Sequence, residues 1–353
     1  MKVLYVAGRE AEYSRTRIVR KALEKQGIEV IGCFPPDKSF RHYPKLVLKA
    51  AREAKTCDLV LVGFYGQIIL PIIRLLTRKP ILFDMYIATY HTMVEDREKA
   101  REGTFKAWLY KLSDVIACRM ADRIVLESQD HIDECVRLFR APAAKFRRIF
   151  LAVDDEVIHP RPGKKKGDHF LVHFHGEFAP FHGVRTILEA ARLLQDENIR
   201  FRIIGRGITY ERDRRYAEEL ELTNVTFIDP VPYEKLADYM AQADLCLGIF
   251  GENPRTLRVV TNKVIESIAM AKPLITSRNA PVQELLTHLE SAFLIERANP
   301  QALADAVRRL RDNESLRVRL GEGGYRVFQK HCTLEVLGRQ FKTIIEEMVN
   351  NGK

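Results

Sequence analysis

One tryptophan in 353 residues, and no long uninterrupted apolar run, set the first limits on this chain. Its longest apolar stretch, Leu59 to Leu76, is broken by Gly63, Gly66, Gln67, Pro71 and Arg74. A bilayer needs about 20 consecutive apolar residues, so the stretch is a poor membrane span. The six cysteines stand apart at 33, 57, 118, 135, 246 and 332, with no CxxC pair. That argues against a metal site or a disulfide framework, and the thiols are expected to be reduced and buried. No GxGxxG fingerprint occurs, so a nicotinamide dinucleotide is not indicated. Repeats and low-complexity tracts are also lacking. The first residues, Met1 to Ala7, read as a buried strand without an apolar leader, and the expected location is cytoplasmic.

What is present is an ordinary globular composition, 46% apolar and 29% charged, at a length that predicts two domains. The net charge of +10 is uneven. Residues 1–152 hold 28 Lys and Arg against 18 Asp and Glu, whereas residues 153–353 hold 29 of each. A basic half attracts phosphates, nucleic acid or anionic headgroups, or merely keeps a surface solvated. Nucleic acid finds no supporting motif and little aromatic interleaving.

Short apolar runs alternate with amphipathic ones, the pattern of βαβ units on a parallel sheet. Strands are predicted at Lys2–Ala7, Glu29–Cys33, Leu59–Gly63, Ile81–Asp84, Arg123–Leu126 and Phe146–Ile149. Helices are predicted at Ser14–Gln26, closed by Gly27, at Pro44–Lys55 and near Phe105–Met120. The pattern then restarts: strands begin at His169, Arg200, Val225, Leu245, Pro273 and Ala292, with helices His182–Gln195, Tyr210–Leu220, Tyr233–Gln242, Asn262–Met270, Ala280–Leu286 and Pro300–Asp312 among them. The expectation is an α/β protein of two Rossmann-like domains, residues 1–152 and 153–333. The joint between them, Leu151–Asp168, carries Pro160, Pro162, Gly163 and the run Lys164-Lys165-Lys166-Gly167. A last helix, Leu334–Val349, is expected to pack back on the first domain.

Open α/β sheets bind ligands at the carboxyl ends of their strands. The loop His173-Phe174-His175-Gly176-Glu177-Phe178-Ala179-Pro180-Phe181-His182-Gly183 joins a strand to a helix. Gly176 and Gly183 allow close backbone approach, and a helix N-terminus suits a diphosphate. An ordinary strand–helix turn would read the same way. Gly205-Arg206-Gly207 follows the next strand and permits close approach of a nucleotide. Further on, Asn262-Lys263-Val264-Ile265-Glu266 opens a helix, with Lys263 and Glu266 on one face. A carboxylate there can accept hydrogen bonds from two ribose hydroxyls, and Lys263 can neutralise phosphate.

These segments resemble retaining glycosyltransferases of family 4, which have the GT-B fold. "NKVIESIAMAKPLI" is close to that family's "NKxxExxAxGxPxI" pattern, and "ADLCLGIFG", "EYSRTRIVRKALEKQGIEV", "LVLVGFYGQ" and "FDMYIATYHTMVEDR" are similar to segments of some members. The resemblance implies two domains facing across a cleft, a nucleoside diphosphate sugar as co-substrate and no metal. It implies donor contacts from Gly176, Glu177, His182, Gly183, Gly205, Arg206, Gly207, Asn262, Lys263, Val264 and Glu266, with Glu266 on the ribose. Two departures stand out. Glu177 and His182 occupy a turn that often carries Arg and Lys, and Arg258 stands eight positions before Glu266, where the family often has Glu. Lys263 and Arg258 are therefore the expected neutralising charges on the leaving diphosphate.

In the first half, Tyr13, Ser14, Arg15 and Arg17 sit where a strand enters its helix, with Ser14 the expected N-cap. Two arginines in a first turn oppose the helix dipole unless an anion binds, so this is the expected acceptor side. Asp84 and His91 are candidates to contact the transferred sugar or the acceptor hydroxyl. Phe105, Trp108, Leu109 and Leu112 have helical spacing. Core packing is the expectation for them, with a membrane-surface helix as the alternative. The expected reaction is transfer of a hexose, with retention, to a hydroxyl acceptor, lipid-linked or saccharide, in cell-surface polysaccharide or glycolipid synthesis. Peripheral contact with the inner face of an anionic membrane is part of that expectation. A nucleotide-sugar epimerase and a scaffold that has lost its site are the rival readings.

Overall fold

The computed structural model describes residues 1–350 apart from Lys38, Glu98, Lys165 and Lys166. Two lysines of the joint, and residues 351–353, thus lie outside the described residues. The chain divides into two compact units, Met1–Ala152 with the C-terminal helix, and Val153–Thr333.

The first unit holds strands β1 (Lys2–Val6), β2 (Glu29–Cys33), β3 (Leu59–Val62), β4 (Ile81–Asp84), β5 (Arg123–Leu126) and β6 (Phe146–Arg148). All pair in parallel, in the order β2-β1-β3-β4-β5-β6. Val3 to Val6 and Leu59 to Val62 are wholly buried, as central parallel strands covered on both faces require. Helices α1 (Ser14–Lys25), α2 (Tyr43–Glu53), α3 (Ile69–Leu76), α4 (Phe105–Met120) and α5 (Gln129–Phe139) follow in turn. The interrupted run Leu59 to Leu76 resolves into β3 and α3, and no helix among the described residues is long and apolar enough to cross a membrane. Gly27 closes α1 with φ 73°. Ser14, however, is the first helical residue, and Tyr13 is the N-cap without a side-chain capping bond.

Phe105 is 73% exposed and Trp108 53%, with Leu109 also exposed, so this stripe of α4 does not pack into the core as expected. The inward positions of α4 are instead Ala107, Asp114, Ala117 and Cys118. A stripe read from spacing alone can take either side when small residues supply the buried contacts.

The second unit holds β7 (Phe170–His175), α6 (Val184–Leu193), β8 (Ile199–Ile204), α7 (Tyr210–Glu219), β9 (Val225–Ile228), α8 (Tyr233–Gln242) and β10 (Leu245–Leu247). It continues with α9 (Asn262–Ala269), β11 (Leu274–Ser277), α10 (Ala280–Leu285), β12 (Phe293–Ile295), α11 (Pro300–Asp312) and α12 (Glu314–His331). Its parallel sheet runs β12-β11-β10-β7-β8-β9. The order reverses between β7 and β10, which makes a crevice at their carboxyl ends. The last helix, α13 (Leu334–Asn350), buries Leu337, Phe341 and Ile345 with Val3, Tyr5 and Val19 of the first unit. Gly338 lets it approach the backbone of α1 at Ala22.

Candidate functional site

The crevice between β7 and β10 gathers most of the residues expected to meet the donor. Beyond β7 the chain turns at Gly176 (φ 141°), and Gly205 turns in the same way (φ 140°) after β8. A side chain at Gly205 would collide with the Gly176 carbonyl, and one at Gly176 would come within 2.9 Å of Lys263 Cε. Pro180–His182 forms a short 3-10 turn that Gly183 (φ 69°) ends, so α6 starts at Val184 rather than His182. No side chain caps α6 or α9, whose N-caps are Gly183 and Thr261. Both helix N-termini present the positive end of a helix dipole, which favours an anion.

Lys263 and Glu266 lie one turn apart on α9, and both are buried. They turn to different partners. Lys263 Nζ is 3.0 Å from His182 Nε2, and His175 Nε2 is 2.8 Å from Glu266 Oε2. Burial pushes the Lys263 ammonium down to about 7, against the opposing pull of Glu266 and Glu177. His182 is held well below its ordinary range by burial and then by the charge of Lys263. Its Nδ1 meets the Glu177 carbonyl, so that nitrogen carries the proton and Nε2 offers a lone pair to Lys263. The result is a buried carboxylate beside a buried amine that exchanges its proton near neutrality. One suits sugar hydroxyls, and the other suits an arriving phosphate.

The model for glycosyl transferases group 1 matches residues 155–327, and that for glycosyltransferase family 4 matches residues 4–157. An uncharacterized glycosyltransferase of Methanocaldococcus jannaschii is 24% identical over 57% of this chain and 53% of its own length, so that match spans about half of the relative. A D-inositol 3-phosphate glycosyltransferase of Corynebacterium glutamicum is 25% identical over 77% of this chain and 68% of that one. The solved structure of Anabaena HepE in complex with UDP has the same fold, with a TM-score of 0.74, 14% identity, and 98% and 100% of the two chains covered. The chain belongs to the GT-B glycosyltransferases of the family 4 type.

Other residues of this glycosyltransferase fall elsewhere. Val264 is wholly buried in α9, and Arg206 is engaged by Asp229 at 2.8 Å, by Glu211 at 3.7 Å and by the Tyr210 ring. Arg258 is half-buried just past the turn Pro254–Leu257. Arg255, which the sequence reading missed, stacks 4.4 Å over Phe181, and its charge bears on His182. Only the folding of the 254–257 turn brings it to the loop that holds Phe181 and His182. No periodicity marks it.

In the first unit, Arg15 is buried and donates to both oxygens of buried Asp84, at 2.9 and 2.8 Å. Arg15 and Asp84 thus engage each other, and this pairing accounts for an arginine in the first turn of α1. His91 is buried in a π-helical turn, 3.8 Å from Glu134 and 5.6 Å from the His131 ring. Arg17 is half-buried on α1. Tyr13 stacks on Phe64 at 4.8 Å, Arg9 lies over the Tyr13 ring at 4.6 Å, and Tyr86 meets Phe64 edge-on. Tyr65 and Tyr86 hold left-handed backbone (φ 58° and 54°), a strained choice for aromatic residues. These rings border the carboxyl ends of β1, β3 and β4, where the order of the first sheet reverses.

Proposed function

We propose that the chain transfers a hexose from a nucleoside diphosphate sugar to a hydroxyl acceptor, with retention at the anomeric carbon. The carrying observation is the pair Lys263 and Glu266, both buried on α9, with Lys263 set against the glycine turn at 176. In this reading Glu266 takes the ribose, and the diphosphate sits on the N–H groups of α6 and α9 beside Lys263. HepE was solved with UDP and with UDP-glucose, which supports a nucleotide-sugar donor. Negative charge grows on the diphosphate as its bond to the anomeric carbon breaks, so a fixed cation there lowers the barrier. The acceptor oxygen bonds to that carbon on the face the phosphate leaves, and a phosphate oxygen takes the acceptor proton. No separate base is required.

A thermal-shift panel of nucleoside diphosphates tests the donor site. A hundredfold excess of ligand over its dissociation constant stabilises by about 2.7 kcal/mol. A panel without any shift sinks the donor reading, and a shift without transfer or donor hydrolysis favours the scaffold.

The acceptor side is assigned to residues 1–152. The aromatic rings at 13, 64 and 86 supply apolar faces of the kind that sugar C–H faces pack against. The named substrate of the Corynebacterium relative contains a phosphate, and the basic excess of residues 1–152 suits an anionic or lipid-linked acceptor. Ile68 just before α3, Ile72 and Leu75 on it, and Phe105 and Trp108 of α4 are exposed. Lys106 and Arg78 are exposed near them in the chain. This favours peripheral contact with an anionic membrane.

A further inference from the structure

Central strands of a parallel sheet are normally apolar, yet β7 carries His173 and His175 on one face, both buried. Buried polar groups need partners, and here the partners form a line. Arg202 Nε lies 3.4 Å from His173 Nδ1, His173 Nε2 lies 3.0 Å from His175 Nδ1, and His175 Nε2 lies 2.8 Å from Glu266 Oε2. Arg202 on β8 is itself anchored by Gln242 Oε1 at 2.9 Å and by the Tyr239 carbonyl, and its guanidinium lies over the Tyr239 ring. The nitrogens face one another in sequence rather than converging, and among the described residues no cluster is placed to hold a metal ion.

The line has one direction. A guanidinium can only donate, so His173 Nδ1 must accept and the proton of His173 sits on Nε2. That proton points at His175 Nδ1, which must therefore carry the lone pair, and the proton of His175 also sits on Nε2. It is donated to Glu266. The reverse order would set an N–H of His173 against the N–H of Arg202. His173 stays neutral because burial first, and the charges around it second, hold it well below its ordinary range.

We infer that Arg202, His173 and His175 form a positioning relay that fixes the carboxylate of Glu266, occupying Oε2 and leaving Oε1 for the ribose hydroxyls. Without it, Glu266 is one helical turn from Lys263 and free to rotate toward that amine. The relay instead holds carboxylate and amine on separate partners, each ready for its own part of the nucleotide. In this arrangement the three residues act through Glu266. The inference rests on the reading of Glu266 as the ribose group.

The test compares UDP with 2′-deoxy-UDP and 3′-deoxy-UDP by calorimetry on the full chain. The native protein is expected to lose about tenfold in affinity for each missing hydroxyl. His175→Phe, which removes the donor to Glu266, should shrink that penalty to about twofold. His175→Gln, whose amide can replace the ring N–H, should keep most of it. A role confined to stability would lower affinity for all three nucleotides alike. A Glu266→Ala variant that retains the full penalty overturns the ribose reading, and the proposal with it. Loss of the penalty in Glu266→Ala but not in His175→Phe overturns the relay alone. Nitrogen-15 spectra of labelled histidine decide the matter if His175→Phe does not fold. Both His173 and His175 should be Nε2–H tautomers, and an Nδ1–H tautomer at either position overturns the relay.

Discussion

Lys263 Nζ lies 3.0 Å from the Nε2 lone pair of His182, in a buried setting that brings its ammonium down to about 7. A neutral imidazole can hold an amine in place without fixing its charge. A diphosphate arriving beside it favours the charged form and raises its pKa. Nucleotide binding should therefore take up a proton. The uptake approaches one near pH 8 and falls as pH drops below 7, where the free protein already holds that proton. Calorimetry at pH 8 in buffers of different ionisation enthalpy checks it. Binding heats that do not depend on the buffer would show that Lys263 does not meet the diphosphate.

Lys263→Ala should lower kcat more than it raises KM, because the charge it opposes grows toward the transition state. Steady-state kinetics with saturating acceptor measure the split. Near-normal turnover would shift the neutralising role to Arg255, which stands over Phe181 beside the same turn.

Glu266→Ala should weaken nucleoside diphosphate binding by about 1.5–3 kcal/mol, the range for a hydrogen bond to a charged group. Unchanged affinity in a folded variant would remove Glu266 from the ribose.

Stability should fall in mild acid. His173 and His182 are held below their ordinary range, so below about pH 6.5 the unfolded chain binds protons that the folded chain refuses. The native state is favoured above that pH and loses ground as pH falls through it. Denaturant midpoints at pH 7.5 and 5.5 give the slope. His173→Phe or His182→Phe should flatten it, and an unaltered slope in both variants would place the acid sensitivity elsewhere.

Sedimentation with liposomes tests the exposed face of α4. Binding to anionic vesicles is expected at low salt and should weaken at high salt, since the Debye length falls to about 3 Å at 1 M. Phe105→Glu with Trp108→Glu should reduce it further. Negligible binding to anionic and neutral vesicles alike at low salt would end the membrane proposal and leave the donor site untouched.

Much of this was written locally. Buried strands such as Val3–Val6 are apolar runs, α1 ends at Gly27, and α9 announces itself in "NKVIES", so strand order aside, period and punctuation disclose the elements. Helices α3, α5 and α12 escaped, the last of them 18 residues long, its sequence interrupted by Gly321, Gly323 and Gly324. The run holding α3 contains Pro71, and α5 was not separable from its flanks by periodicity. The direction of the α4 stripe was also misread, since spacing shows that one face is apolar but not what covers it.

Lys263 and Glu266 were visible by themselves because residues three apart on a helix share a face. Their supports were not. His182 is 81 residues from Lys263, His175 is 91 from Glu266, and Arg202 is 29 from His173. Arg15 and Asp84, read as separate ligand groups, are 69 apart and engage each other. Local spacing determines which side chains share a face of one element. Which charges meet, and which nitrogen of a buried histidine keeps its proton, follows from desolvation, and burial exists only once the sheets have closed over these groups.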